Sequence, residues 1–454
     1  MFRDLPSYVG AKSSAFWQTR VPESWQEVPG LAVVKENRHK NADLAEKQVL
    51  SLSFGNVVVK PVEMQRGLVP ESYEGYQVLE PGDIVIRPTD LQNDQRSIRV
   101  GFVKERGIIT SAYIGLHATG DWEPEYAYLY LSVVDSSKRI YGMGSGLRQQ
   151  LGWADIKRIP CLVPPRDEQA AIVKYLAHAN ARINKAIAAK RLLIALLDEK
   201  LRIDSAAVFS QVDVNDAPAL PLKRLVKIRG GMTPSKENHA YWGGKVPWVS
   251  PKDVKSGTLY GSIDRITDAA VEETSISLVS AGAVVVVVRG MILARTVPTA
   301  VLGVDATLNQ DMKALIPRAG VMEPRYLRDW LHTHTSELLS VIETAGHGTK
   351  KLDTSTLMNL RVRVPGTEIQ REVCTRVDDE ARATRLAIGR VRDEIALLQE
   401  FRTRLVADVV TGQVDVRAVA ATLPDVVEVG ADAADEVSPE LDEELVDVVE
   451  GDDV

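Results

Sequence analysis

The strongest constraint on this chain is that it repeats itself. Gly-Ser-Gly at 144–146, basic Arg148, then Leu151, Ile156, Ile159, Val163, Pro164, Asp167 and Gln169 lead into an amphipathic stretch that runs to about residue 209. Gly-His-Gly at 346–348, basic Lys350 and Lys351, then Leu352, Leu357, Leu360, Val364, Pro365, Glu368 and Gln370 lead into a second such stretch, to about residue 410. From the Leu151/Leu352 pair to the Gln169/Gln370 pair the offset is a constant 201 residues. One register therefore carries through the proline and the helix start alike, and two similar modules, each ending in a rod, suit a molecule that touches two places at once.

The rods carry heptad seams. In the first, Ile172, Leu176, Ala179, Ile183, Ala186, Lys190, Leu193, Leu197 and Leu201 follow in steps of four and three. In the second the positions are Val373, Val377, Glu380, Thr384, Ala387, Val391, Ile395, Leu398, Phe401 or Arg402, and Leu405. A Val-Pro turn and first-turn acids (Asp167 and Glu168; Glu368) suit each helix N-terminus. About 40 helical residues span about 60 Å, longer than an ordinary globular helix. A narrow apolar seam needs a partner, and the simplest one for each rod is the other, as an antiparallel coiled coil.

The segments before the rods have a different texture. Short β-type runs fall at 48–54, 56–62, 83–87, 98–104 and 107–115 in the first module, and at 246–250, 283–289 and 299–303 in the second. Helical patterns at 125–134 and 324–339 close each module. The fold class is therefore α+β: two similar domains separated by two long helices. The expected divisions are 1–160, a central helix 161–215, a second domain 216–365, a C-terminal helix 366–416 and a tail 417–454.

Composition excludes several classes. The 454 residues supply core for two or three domains, and no stretch approaches the roughly 20 apolar residues of a membrane span. The N-terminal residues lack an apolar signal region, and Cys161 and Cys374 have no CxxC spacing and no nearby histidine. A cytosolic chain without disulfides or structural zinc is expected. The net charge of −7 is uneven: residues 431–454 hold eleven Asp or Glu and no Lys or Arg, which leaves the remainder at +4. That tail reads as a disordered, solvating segment, with competition for basic surface as the sharper alternative.

One block is specific. Gly230-Gly-Met-Thr-Pro-Ser-Lys236 and Tyr241-Trp-Gly-Gly-Lys-Val-Pro-Trp-Val-Ser-Pro-Lys-Asp-Val-Lys-Ser-Gly257 resemble the opening of a target recognition domain in the specificity (S) subunits of Type I restriction-modification enzymes. Gly346-His-Gly-Thr-Lys-Lys351 and the Val-Pro, Glu-x-Gln helix entry are similar to that family's closing segment. In the first module Pro81-Gly-Asp-Ile-Val-Ile-Arg87, Gly107-Ile-Ile-Thr-Ser-Ala-Tyr113 and Gly144-Ser-Gly-Leu-Arg-Gln149 resemble another variety of the domain, without the Thr-Pro-Ser and Pro-Trp-Val-Ser signatures. The resemblance spans roughly residues 20 to 412. It implies a non-catalytic reader of double-stranded DNA, each domain contacting one half of a split, asymmetric target while the paired helices set the gap. It also implies docking of two methyltransferase (M) subunits that bring S-adenosylmethionine, and restriction (R) subunits that use ATP and Mg2+, with no cofactor, metal or membrane contact in this chain. The rival reading is a coiled-coil assembly scaffold that reads no DNA.

The residues agree with the absence of chemistry. There is no phosphate loop, no Asn-Pro-Pro-Tyr-like methylation motif and no GxGxxG opening a helix. Asp253-Val-Lys255 lacks an upstream acidic partner, His332 and His334 face apart on a helix, and Ser145 and Ser250 have no evident base. DNA contact calls for cations at phosphates and Arg, Lys, Asn or Gln at base edges. The candidates are Lys60, Arg66, Arg87, Arg96, Arg99, Arg148 and Gln149 in the first module. In the second they are Lys236, Lys245, Lys252, Lys255, Arg289, Arg295, Asn309, Gln310, Lys350 and Lys351, with Tyr241 and Trp242 nearby and Trp248 expected in the core.

Overall fold

The computed structural model describes residues 5–53, 55–60, 73–89, 91, 98–143, 150–211, 217–255, 257–344 and 349–425. They divide into two compact units at 189/190 and 393/394: the first joins 5–189 to 394–425, and the second is 190–393. The acidic tail of the sequence reading lies outside the described residues.

The first unit is built on a six-stranded sheet in the order Val34–Glu36, Ile114–Ala118, Ile84–Ile86, Val100–Phe102, Asn56–Val59, Leu50–Ser53. The second has five strands in the order Val226–Gly230, Met312–Pro317, Val284–Val287, Thr299–Leu302, Thr258–Leu259. In each sheet one pairing is parallel, Asn56 with Phe102 in the first and Thr258 with Val301 in the second; the other pairings are antiparallel. The order and sense of the pairings therefore repeat between the units. Gly82 and Gly282 each turn the chain into the central strand at positive φ, +97° and +88°, a conformation that favours glycine. Their N–H groups donate to Val103 and Leu302 carbonyls at 2.9 and 2.7 Å. Val284–Val287 is buried at every residue, which accounts for an apolar run without alternation.

Each unit closes with a helix that starts on proline, Pro124–Ser136 and Pro324–Thr333, the residue preorganised for a first helical turn. The helix expected over 324–339 breaks at His334, whose ring stacks on Trp330 at 4.1 Å, and resumes as Thr335–Ser340. A two-stranded ladder then leads into each rod, Gln26–Pro29 with Pro160–Val163 and Ala219–Pro221 with Arg361–Arg363.

The rods are the helices Arg166–Gln211 and Thr367–Val410, 46 and 44 residues long. Their starts are fixed by one device used twice. The fully buried amide of Gln169 accepts from Glu123 N–H at 2.8 Å and donates to the carbonyls of Asp121 and Pro164 at 2.7 and 2.8 Å. Gln370 accepts from Glu323 N–H and donates to Val321 and Pro365, all at 2.8 Å. Each glutamine thus satisfies three backbone groups, one of them buried and two part-buried.

Both units contain an antiparallel pair of rod segments. In the first, Ile172, Leu176, Ala179, Ile183 and Ile187 share a core with Leu405, Val409 and Val410, with Ile395 and Leu398 packed against it. Arg402 there donates to Asn184 at 3.2 Å. In the second, Leu201 meets Ala381 and Ile388, with Ile194 and Leu197 alongside; Val373 and Val377 enter that unit's main core, and Val391 is buried. Leu193 is a correction to the expected seam. It is 42% exposed, because the seam steps from Ile183 to Ile187 and on to Ile194, four residues first instead of three.

The first unit is pinned further by Glu168, which is 3% exposed. Its carboxylate accepts from the Tyr8 hydroxyl and from Trp25 Nε1 at 2.9 Å, and Arg417 lies 3.9 Å away. Burial and this hydrogen bond push the Tyr8 hydroxyl well above its usual range. Beyond the rod, Asp415 N–H donates to Pro6 O at 2.8 Å.

Candidate nucleic-acid interface

In the second unit the central strand leaves the sheet through Val288, Arg289 and Gly290, and two other segments converge there. Val288 N–H donates to Asp311 O at 2.8 Å, while its carbonyl accepts from Leu352 N–H at 2.9 Å. Arg289 sits opposite Lys351 in an antiparallel bridge, and Gly290 N–H donates to Lys350 O at 3.0 Å. Lys350–Lys351 in turn pairs with Glu343–Thr344, and Lys350 Nζ reaches Thr344 Oγ1 at 2.9 Å. Backbone hydrogen bonds, not side-chain chance, therefore set three cations on one edge. Arg295 is exposed just beyond the short helical turn Met291–Ala294 that follows Arg289.

Gln310 joins the same edge. Asn309 was a sequence candidate for base contact, and here the structure corrects the reading. It is 7% exposed, its side-chain oxygen accepts from Asp311 N–H at 2.9 Å, and its own N–H donates to Val249 O at 2.9 Å. It builds the turn that presents exposed Gln310, whose Oε1 accepts from the Thr233 hydroxyl. Thr233 was missed as a site residue, although the Thr-Pro-Ser signature marked its position. Gly231 makes this closeness possible: a Cβ there would lie 1.8 Å from Asn309 O.

The remaining lysines of this unit sit on a small lobe. Trp242–Val249 pairs with Arg265–Ile266 and, in parallel, with Thr307–Leu308, which leads directly into the Asn309–Gln310 turn. Lys236, Lys245 and Lys255 are exposed, and Lys252 pairs with Asp264 at 2.8 Å. Trp248 is a core residue, 6% exposed, with Nε1 donating to Met232 O at 3.0 Å and its ring edge-on to Trp242 at 5.2 Å. Tyr241 donates to Glu273 at 3.1 Å.

Asp253 has a structural job. One oxygen accepts from Ser250 N–H at 2.8 Å and Ser250 Oγ at 3.0 Å, the other from Ile263 N–H at 2.8 Å. Asp353, next but one to Lys351, caps the helix Thr354–Asn359; hydrogen bonds from the Ser355 hydroxyl and the Ser355 and Thr356 amides hold its carboxyl below the usual range. Burial pushes the Cys374 thiol up to about 12 and the Cys161 thiol higher still, so both stay protonated at neutral pH. Among the described residues no group of three or more His, Cys, Asp or Glu could hold a metal ion.

In the first unit the corresponding edge is Arg87–Thr89. Leu151 N–H donates to Pro88 O at 2.9 Å, the counterpart of Leu352 on Val288. Arg87 is half-buried and Lys60 is exposed. Arg99 is a second correction: it is fully buried, with Nε donating to the Tyr141 hydroxyl at 3.1 Å and Nη1 to the carbonyls of Arg87, at 3.5 Å, and Thr89. A guanidinium enclosed in this way cannot reach a phosphate. Arg66, Arg96, Arg148, Gln149 and the glycine-rich segments 144–146 and 346–348 lie outside the described residues.

With this geometry in hand, the second unit has an assignment. Residues 220–390 match the family model described as the Type I restriction modification DNA specificity domain. The chain is similar to that family over this stretch, which is under half of its length. It is 28% identical over 260 residues to the Type I restriction enzyme EcoR124I/EcoR124II specificity subunit of Escherichia coli, covering 56% of this chain and 62% of that protein. It is 31% identical over 176 residues to the Type I restriction enzyme MjaIX specificity subunit of Methanocaldococcus jannaschii, covering 37% of this chain and 39% of that protein. The chain thus aligns with less than two thirds of the length of either relative. A chain in a solved structure concerned with assembly and conformational transition of the type I R-M system shares the fold, with TM-score 0.50 at 16% identity over 87% of this chain and all of the other. Among the described residues no helix is long and apolar enough to cross a membrane.

Proposed function

We propose that this chain is the DNA-specificity subunit of a type I restriction-modification complex, acting in the cytoplasm, with each unit reading one half of a bipartite, asymmetric duplex target. The observation that carries this reading is the edge of the second unit, where backbone bonds gather Arg289, Lys350 and Lys351 beside exposed Gln310. Cations at such an edge neutralise phosphates and fix register, and a planar amide beside them can address base edges. The repeated strand order supports a second reader of the same build in the first unit.

The chain itself is non-catalytic in this reading and binds no cofactor; S-adenosylmethionine, ATP and Mg2+ belong to partner M and R subunits. The central rod supports docking of methyltransferase subunits. Leu192, Leu196 and Ile203, spaced four and seven residues apart on one helical face, are 62%, 60% and 58% exposed. Such side chains on a rod suit a protein partner.

The test is sequencing of N6-methyladenine in DNA from cells that carry this chain with a cognate methyltransferase, against cells lacking the chain. The expected result is a split motif of fixed spacing that disappears with the chain. Methylation that persists unchanged would favour the scaffold reading, in which the rods assemble partners and no duplex is read.

A further inference from the structure

The first unit encloses a guanidinium that the surface reading does not use. Arg99 lies at the start of the strand Val100–Phe102 and is fully buried. Its backbone N–H donates to the buried Asp135 Oδ2 at 2.7 Å, and its guanidinium carbon lies 5.4 Å from the Tyr141 ring centroid. Through Nη1 it holds the carbonyls of Arg87 and Thr89, through Nε it holds the Tyr141 hydroxyl, and its own carbonyl accepts from Arg87 N–H at 2.8 Å. The planar fork therefore ties two parts of the chain far apart in sequence. One is the exit of the central strand at 87–89; the other is the turn Arg139–Gly142, which precedes the return of the chain to Pro88 through Leu151.

The second unit achieves the same end differently. There Pro298 stands across the ladder, its carbonyl accepting from Val287 N–H at 3.1 Å, and the strand exit is held by the Arg289–Lys351 bridge and the Lys350–Lys351 ladder. No guanidinium is needed where backbone pairs with backbone. At the first unit's edge the described backbone bonds include those from Leu151 to Pro88 and from Arg87 to Arg99, and a five-donor planar group there spans further acceptors at once.

We propose that Arg99 is a positioning residue for sequence reading by the first unit, setting the backbone of Arg87–Thr89 and hence the presentation of Arg87 to its half of the duplex. This rests on the specificity-subunit reading. It predicts that Arg99→Lys, which keeps the charge and loses the fork, relaxes one half-site and leaves the other intact.

The experiment is N6-methyladenine sequencing with full-length chain and its methyltransferase, comparing wild type, Arg99→Lys, Tyr141→Phe and a stability control, Val134→Ala, a fully buried core truncation in the same unit. Thermal unfolding of each variant is measured in parallel. The expected result is that Arg99→Lys lowers discrimination roughly tenfold at one or more positions of a single half-site. Tyr141→Phe should do the same to a smaller degree, and Val134→Ala should leave the motif unchanged at a comparable thermal loss. An unaltered motif in Arg99→Lys, or a loss at both half-sites that tracks thermal stability as in Val134→Ala, overturns the inference alone. A wild-type chain that directs no split motif overturns the specificity-subunit reading and the inference with it.

Discussion

The two units share a sheet and differ in how they hold its working edge. In the second, the exit of Val284–Val287 is locked by main-chain bonds to Asp311, Lys350 and Leu352. In the first, among the described residues, main-chain bonds from Leu151 to Pro88 and from Arg87 to Arg99 are supplemented by the enclosed side chain of Arg99. A backbone ladder tolerates many side chains, so the second edge is free to vary its surface residues. A side-chain clamp commits a position of the core. Common architecture and separately adjustable edges are what the proposed reading of two different half-sites requires.

The comparison is most severely tested where the units are most alike. Gln169→Ala and Gln370→Ala each strip partners from one buried and two part-buried backbone groups, and each should cost roughly 3 kcal/mol in denaturant unfolding, given about 1–3 kcal/mol for leaving a buried group unpaired. Losses that differ several-fold would show that the shared device bears unequal weight.

Next in size, replacing both Lys350 and Lys351 with Ala should weaken binding of the assembled complex to duplexes of any sequence by roughly tenfold or more, and lower its salt slope by about two. An unchanged slope would remove the second unit's edge from the phosphate contacts. A smaller effect separates the seam that forms from the seam expected. Ile194→Ala should cost about 1–2 kcal/mol, and Leu193→Ala at its exposed neighbour under about 0.5 kcal/mol. The reverse order would restore the original register.

The smallest effect is a pH dependence at Asp353, whose counterpart is absent from the described part of the first unit's edge. Its folded carboxyl is held below the ordinary range, so its capping contribution is present above the unfolded value and fades as pH falls through the lowered one. Hydrogen exchange of the Ser355 and Thr356 amides should quicken in Asp353→Ala at neutral pH and converge with wild type in acid.

The rods, the repeat and the glycine-started central strands were legible because period and offset persist over many residues. Val34–Glu36, Val226–Gly230 and Met312–Pro317 were not, although the first two form edges of their sheets and the third lies next to an edge. Lys35, Lys227, Arg229 and Lys313 interrupt their apolar residues, so their strand state comes from neighbours. Among the candidate DNA contacts, Arg289, Gln310 and Lys351 are exposed and Lys350 is half-buried, while Arg99 and Asn309 are enclosed. Residue type identifies a donor or acceptor, and only the fold decides whether it faces solvent or a buried carbonyl. Leu193 failed for a simpler reason: with Leu192, Leu193 and Ile194 in succession, two seams fit the sequence equally well, and packing against Ala381 and Ile388 selects one.

The rods also dictate an order of assembly. Among the described residues the second unit is one continuous stretch of chain, whereas the first needs residues on both sides of it: Tyr126 donates its hydroxyl to Val410 O across 284 positions. During synthesis from the N-terminus, the earlier half of the first unit must wait, its core around Tyr126 and Ile172 open, while about 200 further residues emerge and close upon themselves. The part that begins first finishes last, and until Val410 leaves the ribosome its exposed apolar surface is the chain's most vulnerable moment.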